Sequence, residues 1–344
     1  MHVFTSISIN YLPKARVLAE TLKQHHPEWS FHLLISDRLP AESALHAELA
    51  DDRFDEVVWV DQLDIPDLYS WIFKHSVVEL CTAVKGPYLN HLVKAGAEKI
   101  MYIDPDIAVF NDLSPLEKLL DDHAILLTPH LLDYADEPKA IAENEIAGTM
   151  RHGIYNLGFL ALNPTRADGK RFAQWWEHRL LNYCYADYAQ GLFTDQKWCD
   201  LVPAFFEDHF IVRDPGYNMA SWNINKRRLT ISEEGQFRVN ESYPLRFYHF
   251  TGYDSGAGNF MTRRYSDQNN LVDEIWGWYA RAIKRMAQDE LGSRPCFYNF
   301  YSNGSVISQE DRKVYREHID LQTAYPNPFE INGKVFRNYI EKDG

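Results

Sequence analysis

Two carboxylates stand two residues apart in Ile103-Asp104-Pro105-Asp106-Ile107, directly after the apolar run 97–103. Residues i and i+2 of an extended segment point the same way. Pro105 keeps Asp104 out of the helical region, so the spacing aims both carboxylates to one side. Two like charges this close repel, which raises one pKa unless a cation is shared between them. Hard oxygen ligands suit Mn2+ or Mg2+. The bare triplet has a second reading, a strand-end turn with solvated carboxylates, because an acidic chain of 344 residues contains such a triplet by chance.

The elements around the triplet show what would position it. Val3–Ile9, Phe31–Ser36, Glu56–Val60 and Ala97–Ile103 are apolar runs without strict polar alternation, as in strands buried on both faces. Helical segments separate them. One begins at Pro13 and carries Ala15, Leu18 and Leu22 on one face, and two more, His75–Lys85 and Tyr88–Lys94, flank Gly86-Pro87. This alternation predicts an α/β fold with a doubly wound sheet. In such sheets ligands bind outside the carboxyl ends of the strands, where Asp104 and Asp106 fall.

Further along, Gly153–Leu162 reads as a strand, Ala167–Tyr183 as a helix, and Leu229–Ser232 with Gln236–Val239 as a hairpin. Leu245–Phe250 reads as another strand, and a helix is expected to start near Thr194, which would cap it. Leu271, Ile275, Trp278, Ile283 and Met286 mark a long amphipathic helix, followed by an aromatic, turn-rich stretch at 295–329. The organisation expected is a catalytic domain over 1–265 and a helical, irregular extension over 266–344.

Composition narrows the function classes. Hydrophobic residues at 45% and charged residues at 24% describe an ordinary globular chain. A net charge of -14 argues against nucleic acid, whose affinity rests on Lys and Arg contacts to phosphate. The same charge calls for a local counter-charge, such as a divalent cation, if a diphosphate is to bind. The four cysteines form no CxxC, so no zinc cluster or disulfide framework is indicated. No run reaches the roughly 18 apolar residues of a membrane span, and no leader precedes the first strand, so a cytoplasmic location is expected. No Gly-x-Gly-x-x-Gly follows the first strand, which excludes a dinucleotide-binding dehydrogenase of the usual type.

The wider context of the triplet, Tyr102-Ile-Asp-Pro-Asp-Ile-Ala-Val-Phe-Asn-Asp-Leu113, resembles the metal-binding strand end of GT-A glycosyltransferases, in particular the family-8 retaining type of bacterial polysaccharide and lipopolysaccharide assembly. Four more pieces follow in the family's order. Tyr155-Asn156-Leu157-Gly158 is similar to its "Asn-x-Gly" strand, Thr194-Asp195-Gln196 to its "Asp-Gln" segment, Tyr217-Asn218 with Trp222-Asn223 to its Asn-bearing stretch, and His249-Phe250-Thr251-Gly252 to its "His-x-x-Gly". The resemblance covers roughly 1–260 and has no counterpart in the extension.

The resemblance implies a GT-A (Rossmann-like) mixed sheet and transfer of a hexose from a nucleotide-diphosphate sugar, a uridine-diphosphate hexose, to a glycan acceptor with retention. Asp104, Asp106 and His249 would hold Mn2+ or Mg2+; Thr5, Ser6, Lys85, Asn156, Gly158 and Gly252 would contact the donor. Asp195 and Gln196 would act at the sugar. The family's Lys-Pro-Trp after "His-x-x-Gly" is replaced by Tyr253-Asp254-Ser255, leaving Arg263 or Arg264 to meet the phosphates. Gly252, Gly256 and Gly258 mark 253–259 as a lid. Two other readings stand beside this one: an inverting transferase with Asp195 as base, and a catalytically silent carbohydrate-binding protein in which the aromatics bind glycan and the carboxylates are structural.

Overall fold

The structure, a computed structural model, describes residues 1–50, 52–266 and 269–330. The expected extension is therefore described as far as residue 330, and its last part lies outside the described residues. Thirteen strands are present among them: β1 (His2–Ile7), β2 (Ser30–Ile35), β3 (Glu56–Trp59), β4 (Ile100–Ile103), β5 (Ile107–Val109), β6 (Ile125–Pro129), β7 (Tyr155–Leu162), β8 (His209–Ile211), β9 (Met219–Ala220), β10 (Leu229–Ile231), β11 (Phe237–Val239), β12 (Tyr243–Pro244) and β13 (Phe247–His249).

Seven of these form a mixed sheet in the order β3-β2-β1-β4-β7-β6-β8. From β3 to β4 every pairing is parallel, whereas β7 runs antiparallel to both β4 and β6. β1 and β4 are buried along almost their whole length, which is why their sequences show no polar alternation. The change of direction at β4 has a consequence for the site. The end of β4 and the start of β7 lie at the same edge, so Asp104 N donates to Gly158 O at 2.9 Å. A small second sheet, β5-β13-β9, continues from that edge, with His249 paired to Ile107. The chain thus turns at Asp104-Pro105-Asp106 from one sheet into the other.

Both faces of the large sheet are covered. One face packs Phe4, Tyr102 and Leu160 against helices that contribute Leu80, Tyr88, Trp176 and Leu180. The other packs Val3, Ile103 and Phe159 beneath Leu18, Leu22 and Leu116. The sequence predicts a break at Gly86-Pro87, but the break falls two residues earlier, at Val84, and the next helix is Lys85–Lys94. Proline fits there because the first turn of a helix has no intrahelical acceptor for its missing N–H. Gly86 is required for a different reason: a Cβ there would sit 2.8 Å from Glu177 Cα, so glycine lets this helix lie directly on Ala167–Tyr183.

The predicted helix at Thr194 is replaced by a left-handed residue, with φ +47°, followed by a 3-10 turn at Lys197–Leu201 and a short helix at Val202–Phe205. Ten residues for which sequence offered no element, Ile141–Met150, form a π-helix that continues the short helix Pro138–Ala140. The amphipathic helix is present as Asn270–Arg285 and packs its Val272, Ile275 and Tyr279 against Tyr248 and Phe250. Beyond it, Tyr298, Tyr301, Tyr315 and Phe329 enter the same core cluster as Phe4 and Tyr102. Among the described residues no helix is long and apolar enough to cross a membrane.

Candidate active site

A cleft of about 920 Å3 opens at the carboxyl end of β1 and β4, a volume that accommodates a drug-sized or larger ligand. Its floor holds Asp104, Asp106 and His249, whose ligand atoms all lie within 4.8 Å of one another. Among the described residues they form the one His, Cys, Asp and Glu group with metal-ligand spacing. His249 Nε2 stands 3.0 Å from Asp106 Oδ1 and 3.7 Å from Asp104 Oδ2.

The orientation of the His249 ring follows from a chain of amides. Asn218 donates from Nδ2 to Thr128 Oγ1 and to Asn156 Oδ1, each at 2.9 Å, so its Oδ1 faces His249 Nδ1 at 3.3 Å. Nδ1 then donates to Asn218 Oδ1, which leaves Nε2 facing the two aspartates and able to ligate a metal ion once it is deprotonated. The chain continues outward. Asn156 Oδ1 also accepts from Gly158 N at 3.1 Å, so its Nδ2 points at His130 Nε2, 3.2 Å away, and His130 Nδ1 donates to Gly153 O at 2.8 Å. Asn218 sits in the left-handed region with φ +54°, a conformation asparagine tolerates better than most residues.

Burial alone would lower the His249 pKa; the Asp106 carboxylate beside it reverses this and raises it. Burial likewise works to raise Asp106, and His249 more than offsets it, so that carboxyl stays ionised below its usual range. Each group therefore favours the charged form of the other. Two hard carboxylates and an oriented imidazole also fit a divalent cation such as Mn2+ or Mg2+.

Lys85, at the start of its helix, reaches into the same cleft. Its Nζ lies 2.8 Å from Asp195 Oδ2, 3.3 Å from Asp104 Oδ1 and 3.9 Å from the centre of the Tyr102 ring. Burial pulls its pKa down, but Asp104 and Asp195 outweigh that and hold the ammonium charged. Tyr102 OH donates to the same Asp104 oxygen. Asp195 is buried, and Thr194, in its left-handed conformation, donates from Oγ1 to Asp195 Oδ1 at 3.1 Å. A β-branched residue at positive φ is strained, and such strain persists where surrounding contacts over-determine it.

Gln196 follows at the cleft wall with its amide already engaged. Oε1 accepts from Leu157 N at 3.1 Å and Nε2 donates to His152 O at 3.0 Å. Ser6 lines the cleft near Ser36, whereas Thr5 is buried outside the lining. Gly158 lies behind the lining, and Gly252 sits in a turn with φ +69° next to Thr251, which does line it. The structure brings Ser6, Lys85, Asp104, Asp106, Asn156, Asp195, Gln196 and His249 together around one cavity, and leaves Thr5, Gly158 and Gly252 behind it.

Arg263 and Arg264 lie outside the lining, with Arg264 Nη2 2.9 Å from Glu143 Oε1. The lining also contains residues that sequence did not single out: Tyr11, His130, His152, Glu143, Arg294 and Asn299. Only Tyr217-Asn218 and Trp222-Asn223 gave any signal of this surrounding shell. The histidines occur in no spaced pattern, so their role is visible only in three dimensions.

No protein-family model matches the chain. In sequence it is similar to two proteins of Bacillus subtilis (strain 168). It is 28% identical over 228 residues to uncharacterized protein YfnF, covering 65% of this chain and 73% of that one. It is 23% identical over 256 residues to uncharacterized protein YfnD, covering 73% of this chain and 78% of that one. In structure it is similar to the galactosyltransferase LgtC in complex with donor and acceptor sugar analogs, with a TM-score of 0.45, 16% sequence identity, and coverage of 81% of this chain and 96% of the other.

Proposed function

We propose that this chain is a GT-A-type glycosyltransferase of the family-8 retaining kind, transferring a hexose from a uridine-diphosphate sugar to a glycan acceptor. The observation that carries the reading is the Asp104, Asp106 and His249 group at the floor of a large cleft, at the edge where two sheets meet. Asp104, Asp106 and His249 would hold Mn2+ or Mg2+, which supplies positive charge against the diphosphate and so stabilises it as leaving group.

The remaining steps belong to the chain's own residues. Lys85 adds a fixed cation beside Asp104, and Ser6 stands at the end of β1, on the side where the nucleotide would enter. Asp195 is locked by Lys85 and Thr194 and offers its oxygens to sugar hydroxyls rather than serving as a free base. That engagement supports retention over inversion. Gln196 lies along the wall with its amide held by backbone groups, so neither it nor Asp195 is presented as a covalent nucleophile. Front-face attack then remains: the acceptor hydroxyl adds to the anomeric carbon on the side of the departing diphosphate, and a leaving phosphate oxygen takes its proton. The protein contributes by orienting acceptor and donor and by stabilising an oxocarbenium-like state.

The deciding experiment is thermal unfolding with uridine diphosphate, with and without Mn2+. A ligand that binds only the native state must raise the melting temperature. A rise with both together, absent in Asp106→Asn, is the expected result; equal melting temperatures in all mixtures would overturn the reading.

A further inference from the structure

Behind the cleft wall lies a second cavity of about 300 Å3 whose charge is opposite to that of the molecule. Arg213, Lys226 and Arg227 line it against a single carboxylate, Asp133, in a chain of net charge -14. Arg227 is the notable member, with only 3% of its surface exposed. Its Nη1 donates to Pro215 O at 3.1 Å and to Tyr217 O at 2.6 Å, and among the described residues no carboxylate lies within ion-pair distance of it. Arg213 and Lys226 are exposed and likewise form no ion pair among the described residues.

A buried cation without a partner is costly, because desolvation of a charged group is repaid only by a counter-charge or a full set of hydrogen bonds. The charges of Asp214 and Asp133 act on it without an ion-pair contact, and Asp214 already accepts from Gly216 N at 2.8 Å. Burial lowers the Arg227 pKa to about 10, which leaves it charged at neutral pH. The planar guanidinium presents fork-shaped donors to oxyanions, and two exposed cations at the rim would complete the neutralisation.

The cavity also touches the cleft. Leu131 lines both, and Asn223, in the second cavity, donates from Nδ2 to Asn218 O and lies 3.5 Å from His130 O. We infer that Arg213, Lys226 and Arg227 form a subsite for an oxyanion, a phosphate or carboxylate group carried by the saccharide acceptor. The role as acceptor subsite rests on the glycosyl-transfer reading; the oxyanion site itself does not.

The test uses the full chain stripped of metal with chelator, so that the Asp104, Asp106 and His249 group holds no cation that attracts anions. Inorganic phosphate, glucuronate and neutral glucose are titrated by calorimetry into the wild type, into Arg213→Gln/Lys226→Gln, and into Arg227→Gln. The double variant alters only exposed residues and stays informative if Arg227→Gln fails to fold. Expected is binding of phosphate or glucuronate and not of glucose, weakened about tenfold or more in the double variant, in line with loss of two charge-assisted contacts. Phosphate without glucuronate assigns a phosphorylated acceptor, and the reverse assigns a uronate. Glucose binding equal to both, or anion binding undiminished in the variants, overturns the inference. Uridine diphosphate with Mn2+ is titrated in parallel, and its failure to bind the wild type would sink the glycosyl-transfer reading while leaving the anion result standing.

Discussion

At Gly158 a hydrogen atom stands where any other residue has a Cβ, and that Cβ would lie 2.6 Å from His249 Cε1 and 2.7 Å from Asn156 Oδ1. The glycine of the "Asn-x-Gly" strand therefore makes room for the imidazole that faces Asp104 and Asp106. Gly158→Ala is expected to push the ring out of line and weaken Mn2+ binding by about 10–100-fold, the range seen when groups that orient a ligand are disturbed. It should also destabilise the fold by about 1–3 kcal/mol through overpacking. The two losses can be separated. In a His249→Ala background the clash with the ring is gone and only the contact with Asn156 Oδ1 remains, so the stability cost of Gly158→Ala should fall in a double-mutant cycle. Additive unfolding free energies would show that the contact is not the cause. A second expectation concerns Asn218, whose Oδ1 selects the His249 tautomer. Asn218→Leu should lower metal affinity by a similar factor with Asp104 and Asp106 untouched, as read by calorimetry.

At this scale the sequence was most informative where chemistry repeats locally. Asp104 and Asp106 are adjacent in one turn and could be read directly, whereas the amide chain from Asn218 through Asn156 to His130 joins residues from separate strands and loops. Such a chain leaves no spacing to read.

Among the elements, Ile141–Met150 is one that local periodicity could not reveal. A π-helix repeats neither the 3.6-residue period of an α-helix nor the alternation of a strand, and none of its residues is buried, so no apolar stripe marks it. It lines the cleft through Asn144, Ala147, Gly148 and Thr149. Its Glu143 reaches the helix Ala257–Tyr265, accepting from Arg264 Nη2 at 2.9 Å and from Tyr265 OH at 3.0 Å. The expected lid at 253–259 thus belongs to a roof of two pieces held by one carboxylate. Part of that segment is already regular, since Gly258 is in the helix and packs against Trp276. We expect Glu143→Gln to speed hydrogen exchange of 141–150 about tenfold or less, given that a single exposed ion pair contributes at most about 1 kcal/mol. Uridine diphosphate with Mn2+ should slow exchange in both roof pieces. Slowing confined to the β4–β5 turn would show that the roof takes no part in binding. By contrast, the buried strands were plain as unbroken apolar runs, and the helix Asn270–Arg285 as an apolar stripe of helical period along its length.

For the molecule as a whole, the boundary drawn at residue 265 separates groups that share cores. Arg312 donates from Nη1 to Phe73 O and from Nη2 to Tyr298 O, and Tyr315 OH donates to Ser70 Oγ. Arg294 and Asn299 reach the cleft itself. Alternating strands and helices made the sheet legible from sequence, but where a later aromatic stretch would dock depends on surfaces formed by distant segments. We expect one cooperative unfolding transition for the whole chain, and two separable transitions in calorimetry would contradict this.

His75 lies at that junction, buried, with its ring stacked on Tyr185 at 5.1 Å and Nδ1 donating to Trp71 O at 2.7 Å. Burial lowers its pKa from the usual 6.5 to about 3. The unfolded chain takes up a proton near pH 6.5 while the native chain does not until about pH 3. Stability is therefore present above 6.5 and is lost as pH falls toward 3. Between pH 7 and pH 5 this one group should remove about 2 kcal/mol. Urea titrations at both values should show a loss smaller by that amount in His75→Gln. Equal pH dependence in the two proteins would place the acid sensitivity elsewhere.

The turn that carries the chain from the large sheet into the small one also sets when the site comes into being. Asp104 and Asp106 leave β4 early in the sequence, and His249 reaches them only once β13 has paired with β5, a contact that closes a very long loop. Closing such loops is slow, and the contact is made against a growing entropic cost. Metal affinity should accordingly be absent from every partly folded species that lacks the β5–β13 pairing and appear together with the last phase of refolding. In stopped-flow refolding with a fluorescent competitor for Mn2+, the metal signal would then lag behind collapse, and the cation would act as a timer that reports arrival at the native state.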